Sequence, residues 1–277
     1  MWAMDGLPWR GEQPWSLEAG LDQIAAAGFV GILVSATDAQ LARRTAAAAI
    51  DRGLRIAFSG FPTSVEGLRP ILSTIDAVDT THVDHLNLQP NVRPRTVREC
   101  LPYLHGWHEL AAEAGIPTYV ETHRDRMTTD LYFTLDLLDA MPELQLTADL
   151  SHYLLGREFA WPIDEANHEL IRSVLRRSRA FHARVATREQ IQIQVSFAHH
   201  RPWVDLFASW WEWGLRHLRA TLDPEATIVF TIELGPPSWY AITGRDGSEL
   251  SDRWAESLML KELVTEIWSR VATGSGA

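Results

Sequence analysis

Four short segments place an acid or an imidazole at the end of an apolar, β-rich run: "VETH" with Glu121, "TADLSH" with Asp149 and His152, "AFHARVA" with His182, and "TIEL" with Glu233. Taken singly, each has an ordinary explanation. A strand-end acid often caps the next helix, and a lone histidine often sits hydrogen-bonded in a core. Four in succession are different. If they converge, three carboxylates and one imidazole form a negative cluster that is costly to bury without a cation. Oxygen-rich donors with one imidazole suit a single divalent ion, Mn²⁺ or Mg²⁺ first, with Co²⁺ or Zn²⁺ also accommodated. A metal on a carbonyl and a neighbouring hydroxyl stabilises an enediolate, and carboxylates flanking the carbon serve as base and acid.

Whether they converge depends on the elements that carry them. Short β-rich runs alternate with amphipathic helical stretches along the chain, the pattern of parallel strands joined by crossover helices. Eight runs are predicted as strands: "WAMDGLP", "FVGILVSA", "LRIAFSG", "DHLNLQP", "IPTYVETH", "LQLTADL", "AFHARVA" and "TIVFTIEL". Gly28, Gly53 and Gly115 each close a helical run before a strand, as C-terminal caps do, and Thr63 with Glu66 is a predicted capping box. No linker-like stretch divides the chain. The expectation is therefore one α/β domain over residues 1–270, a (β/α)8 TIM barrel, with a flexible tail at 271–277; an open doubly wound sheet is the alternative. In a barrel, the chemistry lies at the C-terminal strand ends and the loops after them. Glu121, Asp149, His182 and Glu233 all fall there.

Composition removes several other functions. A net charge of -11 gives no basic footprint for nucleic acid. The single lysine, Lys261, lies in the last helical pattern, so a Schiff-base mechanism has no candidate. Cys100 is the only cysteine, which excludes an intramolecular disulfide and any CxxC motif, and it falls mid-helix. No apolar run is long enough to span a bilayer and the first residues lack an export-signal pattern, so a cytoplasmic location without membrane contact is expected.

The order Glu on the fifth predicted strand, Asp-x-x-His on the sixth, His on the seventh and Glu on the eighth resembles the xylose-isomerase-like TIM-barrel superfamily. Within it, the sugar phosphate isomerase/epimerase family, with its ketose 3-epimerase-like metal site, is the most similar branch. The resemblance implies that Glu121, Asp149, His182 and Glu233 hold the metal, while Glu121 and Glu233 exchange protons with substrate carbon. It implies substrate contacts for His152 and for Arg188, six residues after His182. Xylose isomerases proper have a lysine where this chain has His123, which favours proton transfer over hydride shift and makes His123 a candidate substrate contact. Met127 stands where family epimerases carry an extra acid.

The expected function is a divalent-metal-dependent sugar isomerase or epimerase. The alternative is a lyase of the same fold, like inosose or dehydroshikimate dehydratases or C-glycoside deglycosidases. Endonuclease IV shares the Asp-x-x-His element but also needs early-strand histidines, and "VSATD", "SGFP" and "NLQPN" supply none. A barrel that keeps the ligands but serves as a non-catalytic subunit is the remaining reading.

Of the 12 tryptophans, Trp210, Trp211 and Trp213 read as a helical core cluster. Trp9, Trp161, Trp203 and Trp239 fall in loops on the expected catalytic side, where ring faces stack on sugars or aromatic aglycones. Asn87 and Gln89, at the end of the fourth predicted strand, are expected either to meet substrate hydroxyls or to make ordinary strand-end hydrogen bonds. No glycine-rich phosphate loop follows the last two strands, so a sugar-like, unphosphorylated partner is expected. The segment "TREQIQIQVSFAHHRPW" is long enough for a lid. Within it, "QIQIQV" reads as an exposed strand able to pair in a homo-oligomer, and His199 and His200 read as surface residues.

Overall fold

The computed structural model describes residues 1–277 apart from 3, 224 and 275–277. The chain divides into two compact units, one of Met1 and Ser16–Thr147, the other of Trp2–Trp15 and Ala148–Ala277.

In the first unit, β1 (Gly31–Ser35), β2 (Arg55–Gly60), β3 (Val83–Leu88), β4 (Thr118–Glu121) and the start of β5 (Leu146–Ala148) lie side by side in chain order. Every pair is parallel, in registers such as Phe58 with Leu86 and Leu88 with Val120. Helices α1 (Leu17–Ala26), α2 (Ala39–Ile50), α3 (Arg69–Asp76), α4 (Val97–Glu113) and α5 (Leu131–Ala140) alternate with the strands. Ser16, Asp38, Thr96 and Asp130 cap four of them, each side-chain oxygen accepting from a first-turn amide that has no partner within its helix. Leu33, Ile56, Phe58, Leu86, Leu104 and Leu137 are buried between the layers, at about 1.5–3 kcal/mol of hydrophobic stabilisation each. Gly28, Gly53 and Gly115 have φ of +71°, +72° and +66°, the left-handed conformation expected of caps. The predicted capping box is not formed: Ser64 accepts from Gly67, and Glu66 pairs with Arg69. The reason is a short 3₁₀ turn over Glu66–Leu68 that moves the start of α3 to Arg69.

In the second unit, β6 (Ser178–Ala183) pairs in parallel with β7 (Val229–Ile232), matching His182 to Thr231 and stacking the Phe181 and Phe230 rings at 5.0 Å. Its helices are α6 (Ser151–Arg157), α7 (Glu165–Leu175), α8 (Arg201–Thr221) and α9 (Arg253–Thr273). Val204, Phe207, Trp211, Leu215 and Leu218 form a buried stripe at helical spacing on α8, and Trp210 is buried with them. No helix among the described residues is long and apolar enough to cross a membrane.

The structure corrects three further expectations. Seven strands, not eight, occur among the described residues. In the "WAMDGLP" run the Trp2 amide donates to the Ile232 carbonyl, and a turn from Met4 to Leu7 with Gly6 at φ +73° follows. "QIQIQV" is not a strand: residues 192–195 are buried, Ile193 bonds back to Val185, and the Gln192 amide exchanges two hydrogen bonds with the Gly235 backbone. Gln192 thus satisfies a neighbouring loop, while Gln190 is exposed. Residues 271–273, expected in a flexible tail, belong to α9, which runs to Thr273 with Gly274 as its cap; residues 275–277 lie outside the described residues.

Candidate metal centre

Glu121 closes β4 with its side chain fully buried. Gln89 Nε2 donates to its Oε2 at 2.7 Å, and Asn87 Nδ2 donates to the same oxygen. Those two residues, one at the end of β3 and one just past it, thus spend an amide on an acid. Thr128 Oγ1 donates to the Glu121 carbonyl at 2.6 Å and accepts from the His123 amide, fixing the turn after the strand. His123 Nδ1 lies 2.6 Å from the Arg124 carbonyl. A carbonyl oxygen only accepts, so Nδ1 carries a proton.

In the second unit, Asp149 follows β5 and is fully buried. Its Oδ1 accepts from the Ser151 amide at 3.0 Å and the Ser151 hydroxyl at 2.5 Å, which orients the carboxylate at the start of α6. The Asp-x-x-His spacing puts His152 one helical turn on, with Nε2 3.4 Å from Asp149 Oδ2. His182 lies on β6, and its Nδ1 meets Oε2 of Glu233, one residue past β7. One donor atom each from Asp149, His182 and Glu233 lie within 4.8 Å of one another, all three residues buried.

A fourth group stands among them. Arg184 is fully buried, with Nε 3.3 Å from Asp149 Oδ2, Nη2 donating to Glu233 Oε1 at 2.5 Å, and its guanidinium carbon 4.0 Å from the Tyr240 ring centroid. Burial pushes the Asp149 pKa up, but the Arg184 charge, followed by His152 and His182, outweighs it and holds the carboxyl below the usual range.

The donors fit a divalent ion. Ligand atoms around an octahedral ion with bonds of about 2.1 Å are roughly 3.0–4.2 Å apart, so the spacing closes on an ion with small side-chain adjustments. Anionic oxygens with one imidazole are also the donors such an ion selects. This buried His/Glu/Asp cluster is a candidate metal site.

The other expected residues make the following contacts. Arg188 is half-exposed and bonds Glu189 at 2.7 Å. Trp9 donates its indole N–H to the Glu249 carbonyl, and the Arg10 guanidinium lies 4.1 Å from its ring centroid. Trp161 is 47% exposed and packs on Trp203, with centroids 4.4 Å apart. Trp239 is 64% exposed and packs on Trp2 at 5.7 Å. His199 is exposed as expected, but His200 is buried with Nδ1 2.7 Å from the Gln194 carbonyl. Cys100 is buried in α4, and burial pushes its thiol up to about 11, which keeps it unreactive.

Sequence reasoning missed Arg184. The signal was the period of two along a strand, by which His182 and the residue two further on share a face.

No family model matches the sequence, and no curated protein matches it. Solved structures do match. An L-ribulose 3-epimerase is 15% identical with a TM-score of 0.58, covering 94% of this chain and 92% of its own. A probable 3-DHS dehydratase involved in petrobactin synthesis, from Bacillus anthracis, is 15% identical with a TM-score of 0.57, covering 90% and 95%. A xylose isomerase-like TIM barrel protein from Mycobacterium smegmatis, in complex with magnesium, is 14% identical with a TM-score of 0.56, covering 90% and 88%. The fold is thus a parallel α/β barrel matching xylose isomerase-like TIM-barrel structures, and many of its structural neighbours are ketose 3-epimerases.

Proposed function

We propose that this protein is a metal-dependent isomerase or epimerase that moves a proton next to a carbonyl on an unphosphorylated, sugar-like substrate. The buried Asp149–His182–Glu233 cluster is the observation that carries this reading. Glu121 is the proposed fourth ligand: it ends the preceding strand, is fully buried, and is held as an acceptor by two amide donors. When bound, a divalent ion supplies positive charge beside the substrate carbonyl and so acidifies the adjacent C–H.

The residues of the chain do the rest. Glu233 is the proposed base, its Oε1 held by Arg184 and its Oε2 facing His182. Glu121, once protonated, is the proposed acid that delivers its own proton to the opposite face of the carbon, while the proton taken by Glu233 exchanges with solvent. His152 and His123 are the proposed contacts to substrate oxygen, and Trp9, Trp161 and Trp239 offer ring faces to the sugar. Arg188 belongs to this proposal only if Glu189 releases it. Mn²⁺ and Mg²⁺ are the favoured ions, and one of the structural neighbours is described in complex with magnesium.

Incubating the enzyme with ketoses in D₂O and following the product by NMR tests the reading. Deuterium entering an intact carbon skeleton supports it, and full exchange by Glu233→Gln refutes the base assignment. Elimination is a second reading, favoured by the fold shared with the probable 3-DHS dehydratase over 90% of this chain. It requires the same base, and the same spectra would then show new unsaturation.

A further inference from the structure

Arg184 is buried beyond the reach of water, two residues after His182 on the same face of the chain. Arginine does not lose its proton in proteins, so a permanent positive charge lies among the candidate ligands. That charge is built in. Its Nε faces Asp149, its Nη2 donates to Glu233, and its plane rests against Tyr240. An aromatic face attracts a guanidinium and gives it a seat beside the carboxylates.

We propose that Arg184 is a resident counter-cation of the metal centre: it holds Asp149 and Glu233 together when no ion is bound and weakens divalent-ion binding by sharing them. The inference rests on the metal reading above and adds to it a residue that sets affinity. Two carboxylates this close repel each other in the interior. The guanidinium offsets that repulsion, so the metal-free protein does not depend on an ion to stay folded. The same charge repels an incoming dication and already engages one oxygen of each acid. An arginine that merely props the ligands in place predicts the reverse, because its removal would disorder them and loosen metal binding.

Titration calorimetry with MnCl₂ on the chelator-stripped full chain separates these roles. Arg184→Met should tighten the Mn²⁺ Kd at least tenfold, while Arg184→Lys, which keeps the charge, stays within about threefold of wild type. Stripping should lower the wild-type Tm by no more than about 5 °C and that of Arg184→Met by clearly more. If Arg184→Met does not fold, Arg184→Gln carries the same affinity test, since its amide keeps a donor without the charge. Equal or weaker Mn²⁺ binding by the uncharged variants overturns the inference and leaves the metal reading standing. Loss of the wild-type fold on stripping also overturns it. No Mn²⁺ bound by wild type or variants overturns both readings.

Discussion

Arg93 grips Asp125 through two hydrogen bonds, Nε to Oδ1 at 2.6 Å and Nη2 to Oδ2 at 2.5 Å, whereas Arg184 divides its contacts between Asp149 and Glu233. The outer pair has the better fork geometry, yet both of its side chains are more than half exposed. The inner arginine and Asp149 are wholly buried, and Glu233 nearly so. Water and salt screen the first, and many such surface pairs contribute little. Removing one carboxylate of the second takes away part of the compensation for a charge held in the interior. Surroundings, more than bond length, decide how much each clamp matters to stability and to chemistry.

The largest effect is expected at the inner clamp's reacting end. Glu233→Gln should lower the deuterium exchange rate by about 10²–10⁴-fold, the usual contribution of a general base, with the protein still folded by circular dichroism. Next, Asp149→Asn leaves Arg184 paired with Glu233 but removes one of its two carboxylates, and should cost up to about 3 kcal/mol in urea unfolding of the metal-free protein, the upper scale of a hydrogen bond to a charged group. A loss under 1 kcal/mol would show the inner clamp behaving like the outer one.

Asn87→Leu tests a neutral version of the clamp, since it takes one of two amide donors from a buried carboxylate. A stability loss of about 1.5–3 kcal/mol is expected, the scale of a hydrogen bond to a charged group. The smallest effect belongs to Asp125→Asn. Arg93 draws the Asp125 carboxyl down to about 2 from 3.8. The folded pKa lies below the unfolded one, so its contribution is complete above 3.8 and is lost as pH falls through about 2. Urea midpoints of wild type and variant should differ little at pH 6, converge further in 0.5 M NaCl, and coincide below pH 2.

The sequence made the fold legible wherever apolar runs alternated with helical periods and glycine caps, as at Gly28, Gly53 and Gly115. It was misleading where tertiary contacts overrode local pattern. "QIQIQV" has the alternation of a strand, but Gln192 satisfies the Gly235 backbone instead of a β ladder. "WAMDGLP" has strand-forming ends, but Gly6 turns the chain within it. Glu121, Asp149, His182 and Glu233 were visible as polar residues ending apolar runs, and all four are buried. Arg184 was hidden because an arginine near the end of a predicted strand reads as solvent-facing. Only the fold brings it against two carboxylates and the Tyr240 ring, which lies 56 positions further along the chain.

The most direct test of the account is the metal content of the protein, measured by elemental analysis after loading with Mn²⁺ and removal of excess. The account predicts about one ion per chain in wild type and a sharp loss in a double His182→Ala, Asp149→Ala variant that still folds. Wild type that retains no divalent ion, or a double variant that retains as much as wild type, would contradict it.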